Sequence, residues 1–276
     1  MNRPIVSIII TTRNSSKTLT KLLQSLKEQS YNKIEIIVVD NNSEDKTRDI
    51  AKEFTRLVFN KGPERSVQRN FGASIAHGKY MLFLDSDMEM GKEVIMDCVK
   101  KMESLPLKHQ VGGLVIPEKS FGSGFWVKTK ALERKINEGQ PYFEAARFFP
   151  KKIFQNVGGY DENLTGPEDW DLPDRVAKNY KIDRIKSYIL HNEGQHTLLG
   201  LAKRKYYYGL SAHKYLSKRN LLPIGPRTVY FLRAAYYKNW KEIFKDPFLY
   251  FGMWVMLLVE TLGGGLGYLM GRLKNE

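Results

Sequence analysis

The sequence predicts an α/β fold, a mainly parallel sheet flanked by helices, with a helical region appended at its C-terminus. Three observations predict it. Through the first hundred residues or so, β-branched runs alternate with stretches of helical periodicity. The fourth of these runs, "YMLFLD", ends abruptly in an Asp-x-Asp at Asp85 and Asp87. Beyond about residue 200 the chain becomes basic, then aromatic, then continuously apolar.

Each element can be justified in order. "IVSIIITT" (5–12) is rich in β-branched residues and reads as a strand. "SKTLTKLLQSLKEQS" (16–30) carries Leu19, Leu22, Leu23 and Leu26 at helical spacing, and "IEIIVVD" (34–40) is a second strand. "SEDKTRDIAKEF" (43–54) reads as a helix on its later periodicity, because Lys46 stands where a capping box would place Glu. "RLVFN" (56–60), "RSVQRNFGASIAH" (65–77) and "YMLFLD" follow as strand, helix and strand. That order implies right-handed crossovers and parallel pairing.

The middle is less regular. "VGGLVIP" (111–117) and "FEAARFFP" (143–150) read as strands around a glycine-rich, basic, aromatic stretch that contains a helix within 120–139. "GPEDWDLPDRVAK" (166–178) has a proline and acids suited to a helix start, although Pro173 must then lie in its first turns. "IDRIKSYILHNEG" (182–194) reads as one short strand ending at His191. "LAKRKYYYGLSAHKYLSKRN" (201–220) and "RTVYFLRAAYYKNWKEIF" (227–244) read as basic, tyrosine-rich helices, and Phe248 to Met270 is apolar except for Glu260. The expected division is residues 1–198 as one domain and 199–276 as a helical region.

Composition excludes several classes. With 276 residues, 42% hydrophobic and 27% charged, the chain has an ordinary globular composition and length enough for a sizeable core. Its single cysteine, Cys98, rules out an intrachain disulfide or a cysteine-built zinc site and fits a reducing compartment. "PIVSIII" is too short and strand-like for a signal peptide's apolar region, so no secretory leader is expected. The net charge is +14, and residues 200–276 carry 13 Lys or Arg against 4 Asp or Glu.

Residues two apart on a strand point the same way, so Asp85 and Asp87 project together from the sheet edge where open α/β sheets bind ligands. Thr11, Arg13 and Asn14 after the first strand, and Asp40 and Asn41 after the second, reach the same edge. Such carboxylates and amides can hydrogen-bond a base or ribose, and Arg69 could meet a phosphate. Paired carboxylates facing a diphosphate point to a hard divalent cation, magnesium or manganese. A nucleotidyltransferase is disfavoured, because no glycine-rich, lysine-bearing triphosphate loop follows the first strand.

"VSIIITTRNSSKTLTKLLQSLKEQSYNKIEIIVVDNNSEDKT", "RNFGASIAHGKYMLFLDSD" and "VGGYDENLTGPEDWDL" together resemble the family 2 glycosyltransferases. The resemblance covers roughly residues 4–195. It implies the GT-A fold, a Rossmann-like sheet, and transfer of a sugar from a nucleotide-activated donor with inversion at the anomeric carbon. At matching positions it implies that Thr11, Arg13, Asp40 and Asn41 line the nucleoside pocket, with Asn14, Arg69 and Ser86 also on the donor side. Asp85 would approach ribose and metal, and Asp87 would bind the metal. Many relatives carry an aromatic residue at Arg13 and an aspartate at Asn41, which leaves the donor base, UDP- or GDP-linked, open. Asp169 of "GPEDWDL" maps to the base that takes the acceptor hydroxyl's proton, with Glu168 positioning it or the acceptor. Some relatives place a metal-ligating histidine where His191 stands; His196 is the fallback. Trp170 would shape the acceptor pocket.

Basic residues interleaved with Tyr206, Tyr207, Tyr208, Tyr215, Tyr236, Tyr237 and Trp240 beside an apolar segment read as a membrane-interface belt rather than a nucleic-acid surface. Phe248 to Met270 supplies 23 residues, and a bilayer takes about 20. Gly263, Gly267 and Gly271, every fourth residue, would permit close helix contact, including between copies of the chain. The expectation is an enzyme at the cytoplasmic face of a membrane, peripheral or anchored by one segment. Its acceptor would be lipid-linked and contacted by Lys203, Arg204 and Lys205. The rivals are a polyprenyl-phosphate sugar synthase and a non-catalytic membrane- or nucleic-acid-binding protein.

Overall fold

The computed structural model describes residues 3–104, 111–140 and 143–274. The chain divides into two compact units, one of residues 1–118, 145–162 and 169–192, the other of 119–144, 163–168 and 193–276. In the first half the order is Val6–Thr12 (β1), Leu19–Lys27 (α1), Ile34–Asp40 (β2), Thr47–Lys52 (α2), Val58–Asn60 (β3), Arg65–Ile75 (α3) and Tyr80–Asp85 (β4). Then come Met88–Met90 (β5), Val94–Glu103 (α4), Val111–Val115 (β6), Glu118–Phe121 (β7) and Phe125–Asn137 (α5). Ala146–Pro150 (β8), Lys151–Asn156 (α6), Glu168–Val176 (α7), Lys181–Arg184 (β9) and Ile189–Asn192 (β10) follow. Leu198–Lys218 (α8), Ala234–Lys238 (α9) and Pro247–Leu273 (α10) complete the chain.

The first unit is built on a seven-stranded sheet in the order β3-β2-β1-β4-β8-β6-β9. β1 pairs in parallel with β2 and β4, and β2 with β3; β8 alone runs against its neighbours β4 and β6. The fold is therefore the expected mainly parallel α/β sheet. Its central strands are buried on both faces, which is why they read as continuous apolar runs. Ile8, Ile10, Val38, Leu82 and Leu84 face the leucines of α1 and Val94 and Cys98 of α4. Ile9, Ile37, Val39, Met81 and Phe83 face the opposite layer, with Ala73 of α3, Phe154 of α6 and Leu172 of α7. Each such side chain contributes about 1.5–3 kcal/mol on burial.

Two expectations change. Residues 182–194 form two strands. β9 closes the main sheet beside β6, after which the chain turns so that β10 pairs antiparallel with β5, setting His191 opposite Met88. β5 is only three residues long, too short to show alternation in the sequence. The second change is in 227–244, where no continuous helix forms. Arg233 takes an extended backbone (ψ 114°) and its side chain reaches the carbonyl of Pro226 at 3.0 Å and Glu133 at 3.4 Å, which splits the stretch into short turns around α9.

The second unit is helical. Leu201, Tyr236, Met253, Met256 and Leu257 form its core. Glycines bring α8 and α10 together, for a Cβ on Gly263, Gly267 or Gly271 would meet the carbonyl oxygens of Ala202, Tyr206 or Leu210 at 2.5, 2.0 and 2.2 Å. The glycine spacing expected to serve contacts in the membrane serves this packing within the chain.

Candidate active site

The loops after β1 and β2 are tied to one another. Ser43 Oγ accepts from the backbone N–H of Asn14 at 2.7 Å, and Asn14 Oδ1 accepts from the N–H of Glu44 at 2.9 Å. Asn14 has φ 49°, a left-handed conformation its short amide tolerates. Asp40 is fully buried and accepts from Thr12 Oγ1 at 2.8 Å and from Ser43 N–H and Oγ at 2.8 and 2.6 Å. It organises the loop as well as bordering it. Thr11 and Asn41 are buried, with Asn41 Nδ2 donating to Pro63 O at 2.5 Å; Arg13 is exposed. Ser86 donates to Ser15 Oγ at 2.7 Å, joining the β4 loop to the β1 loop.

Below these loops lies a chain of alternating charges. Arg69, on α3 and fully buried, gives one terminal nitrogen to Asp169 Oδ1 at 2.8 Å and the other to Asp85 Oδ1 at 3.0 Å. Its guanidinium carbon sits 5.0 Å above the Tyr160 ring. The residue expected to meet a phosphate thus has its guanidinium between two carboxylates. Arg147 Nη1 lies 3.3 Å from Asp85 Oδ2, and its Nε lies 2.7 Å from Glu118 Oε1. Glu118 Oε2 is 2.9 Å from His191 Nδ1, and His191 Nε2 is 3.5 Å from Asp87 Oδ1. Seven residues thus link Asp169 to Asp87 without a break.

Charge balance follows from this arrangement. Burial alone would raise the Asp85 carboxyl, but Arg69 and Arg147 outweigh it and hold the group well below the usual carboxylate range. Burial alone would lower the His191 imidazole, but the Asp87 and Glu118 carboxylates outweigh it and push it up to about 10.

Oδ1 of Asp87 is buried without a hydrogen-bond partner, and His191 faces it. Among the described residues no group of three or more His, Cys, Asp or Glu gathers to hold a metal. The expected trio of Asp85, Asp87 and His191 is therefore not assembled, since Asp85 turns to the arginines. One carboxylate and one imidazole still fit a hard cation that takes its remaining ligands from diphosphate oxygens and water.

Glu168 is buried at the start of α7, and Asp169 and Trp170 beside it are partly buried. His196 lies 3.0 Å from Glu193 and 3.2 Å from Arg204. Lys203 and Arg204 are exposed; Lys205 is half-buried, its ammonium 3.7 Å from Glu260. Sequence reasoning missed Arg147 and Glu118. Arg147 is a charge inside the otherwise apolar strand β8, which was the one visible signal.

A family model described as "Glycosyl transferase family 2" matches residues 7–160. A glycosyltransferase of PGL/p-HBAD biosynthesis from Mycobacterium tuberculosis is 28% identical over 188 residues, 65% of this chain and 72% of that one. An uncharacterized glycosyltransferase of Methanocaldococcus jannaschii is 27% identical over 259 residues, 86% of this chain and 87% of its own. Among solved structures, the Pyrobaculum calidifontis mannosyltransferase PcManGT, in complex with GDP-Man and Mn2+, has TM-score 0.66 at 15% identity, covering 97% of this chain and 88% of that one. S. aureus TarS with UDP-GlcNAc has TM-score 0.53 at 19% identity, covering 77% and 72%. These two likenesses concern the fold. With more than half its length matched by the family model, the strand-edge loops and acidic α7 start described above are those of a chain that belongs to glycosyl transferase family 2.

Proposed function

We propose that this protein is an inverting glycosyltransferase that moves a sugar from a UDP- or GDP-linked donor to a hydroxyl of a lipid-linked acceptor, at the cytoplasmic face of a membrane, in glycan or polysaccharide assembly. The observation that carries the reading is the Arg69 bridge, which ties Asp169 to the end of β4 through the two terminal nitrogens of one guanidinium (2.8 and 3.0 Å). An inverting transfer needs a base opposite the departing diphosphate. Asp169 takes that part, with Oδ1 held by Arg69 and its other oxygen receiving the acceptor's proton. Glu168 positions the acceptor side together with Trp170.

Thr11, Arg13, Asn14, Asp40, Asn41 and Ser86 form the nucleoside and ribose side of the donor pocket, and Asp85 orients the ribose from the end of β4. Asp87 and His191 would hold manganese or magnesium. A cation held there would supply neutralisation of the negative charge that builds on the leaving diphosphate. Glu118, accepting from His191 Nδ1–H, orients the ring so that Nε2 faces Asp87, and holding a cation there would require Nε2 to give up its proton. Catalysis is assigned to residues 1–198 and membrane association to 199–276. The crystallised mannosyltransferase with GDP-Man and Mn2+ supports a nucleoside diphosphate sugar with a divalent ion as the donor.

The test is a screen of UDP- and GDP-sugars for manganese-dependent binding and turnover, first alone and then with extracted lipids, with the product's anomeric configuration read by NMR. The expected result is one donor class turned over with inversion onto a lipid hydroxyl. Retention of configuration, or no metal-dependent donor binding by the folded protein, would overturn the reading. Transfer onto a polyprenyl phosphate itself would assign the rival synthase activity.

A further inference from the structure

The described residues hold one helix long and apolar enough to cross a membrane, α10. Its surroundings in the second unit argue against crossing. Glu260, near its middle, is 1% exposed and lies 3.1 Å from Lys130 of α5 and 3.7 Å from Lys205 of α8. Lys130 also pairs with Glu133 at 2.5 Å, and Glu133 with Arg233 at 3.4 Å. The buried face of α10 is thus apolar over Tyr250 to Leu257, ion-paired at Glu260 and glycine-lined beyond it, packed against its neighbours along its length.

α8 then sets the limit on depth. Ala202, Tyr206 and Leu210 meet Gly263, Gly267 and Gly271 in rising order, so the two helices run side by side in parallel. Lys203, Arg204, Lys214 and Lys218 of α8 are exposed. Were α10 to cross, α8 would carry Lys203 and Arg204, which lie level with Gly264 and Gly265, into the hydrocarbon, at about 3 kcal/mol each near the centre.

The opposite face of α10 is of another kind. Phe251, Leu258, Leu262, Leu266, Leu269 and Leu273 are all exposed. At 100° per residue they fall on one stripe, which runs the full length of a 27-residue helix. Exposed Lys238, Lys241 and Lys245, with Tyr237 and Trp240, precede the stripe, and exposed Arg272 and Lys274 flank its last residue, Leu273. An apolar ridge with basic residues at both ends and aromatic residues at its start is complementary to an anionic lipid surface in charge and in polarity profile.

We infer that α10 lies in the plane of an anionic membrane, its apolar stripe pressed into one leaflet, and does not span the bilayer. The inference rests on the membrane-associated reading above and supplies its topology. A helix so placed sinks about 5–10 Å into the headgroup and acyl boundary, and α8 stays at the surface with its charges in water.

The experiment uses the full chain with Phe251→Cys, Leu258→Cys, Leu266→Cys or Leu273→Cys, each labelled with an environment-sensitive fluorophore; native Cys98 is buried and unreactive. Vesicles of phosphatidylcholine with one-third phosphatidylglycerol carry nitroxide quenchers at graded depths. All four positions are expected to report the same shallow depth. The pair Leu258→Glu with Leu266→Glu should weaken vesicle binding at least ten-fold while the far-ultraviolet circular dichroism is unchanged. A depth that passes through the bilayer centre between 251 and 273 overturns the in-plane topology and leaves membrane association standing. Absence of quenching at every position overturns both, and label burial by concentration-dependent dimers without lipid would assign the stripe to a second copy. Donor turnover in the same samples reports on the glycosyltransferase reading separately.

Discussion

Arg69 has no exposed surface and holds Asp85 and Asp169 together. Removing it leaves two carboxylates facing each other across a buried gap, so Arg69→Met should cost roughly 3 kcal/mol of stability in denaturant titrations. Arg69→Lys should retain most of that stability yet slow transfer, because one ammonium cannot make the fork-shaped bridge. Equal losses for the two variants would contradict the bridging role. Glu118 acts through His191, which it contacts at 2.9 Å. Glu118→Gln should weaken manganese binding about 10–100-fold by calorimetry in a protein of unchanged fold; unchanged affinity would remove Glu118 from the positioning set. At this scale the sequence was half legible. Asp85, Asp87, Asp169 and His191 stand out as polar residues at the ends of apolar runs or at a helix start. Arg147 and Glu118 do not, since an ion pair across 29 residues depends on which strands become neighbours.

The element that sequence reading served least well is α10, where the glycines looked like a membrane contact and prove to be the seam with α8. Gly267→Ala places a methyl 2.0 Å from the Tyr206 carbonyl, whereas Gly265 has open space around its added Cβ. Gly267→Ala should therefore destabilise by about 1–3 kcal/mol through overpacking. Gly265→Ala should be neutral or stabilising by about 0.5–1 kcal/mol through helix propensity. Thermal melts of the pair check the seam, and equal effects would contradict it. The strands β1, β2 and β4 were legible because both faces are buried, so their composition alone marks them. β10 was merged with β9 because nothing local shows that the chain changes sheets between them.

At the scale of the molecule, pH acts on the helical unit through Glu133. Burial alone would raise the Glu133 carboxyl, but Lys130, Arg233 and Lys205 outweigh it and hold it at about 2 against an ordinary 4.5. A depressed carboxylate contributes stability that is present above its ordinary value and lost as pH falls through the folded one. The Glu133 contribution should accordingly be constant from neutral pH to about 4.5 and fall between there and about 2. Trp254, packed among Phe231, Tyr236 and Tyr250, gives a fluorescence readout. Glu133→Gln should reduce the acid dependence that Trp254 reports; an unchanged profile would place its origin elsewhere.

The account as a whole turns on Asp169 as the base of an inverting transfer. Its most direct test is single-turnover transfer by Asp169→Asn at saturating donor and manganese, beside the donor's dissociation constant. The predicted result is a rate about 10²–10⁴-fold lower with donor affinity unchanged. An undiminished rate, or a loss that appears wholly as weaker donor binding, would contradict it.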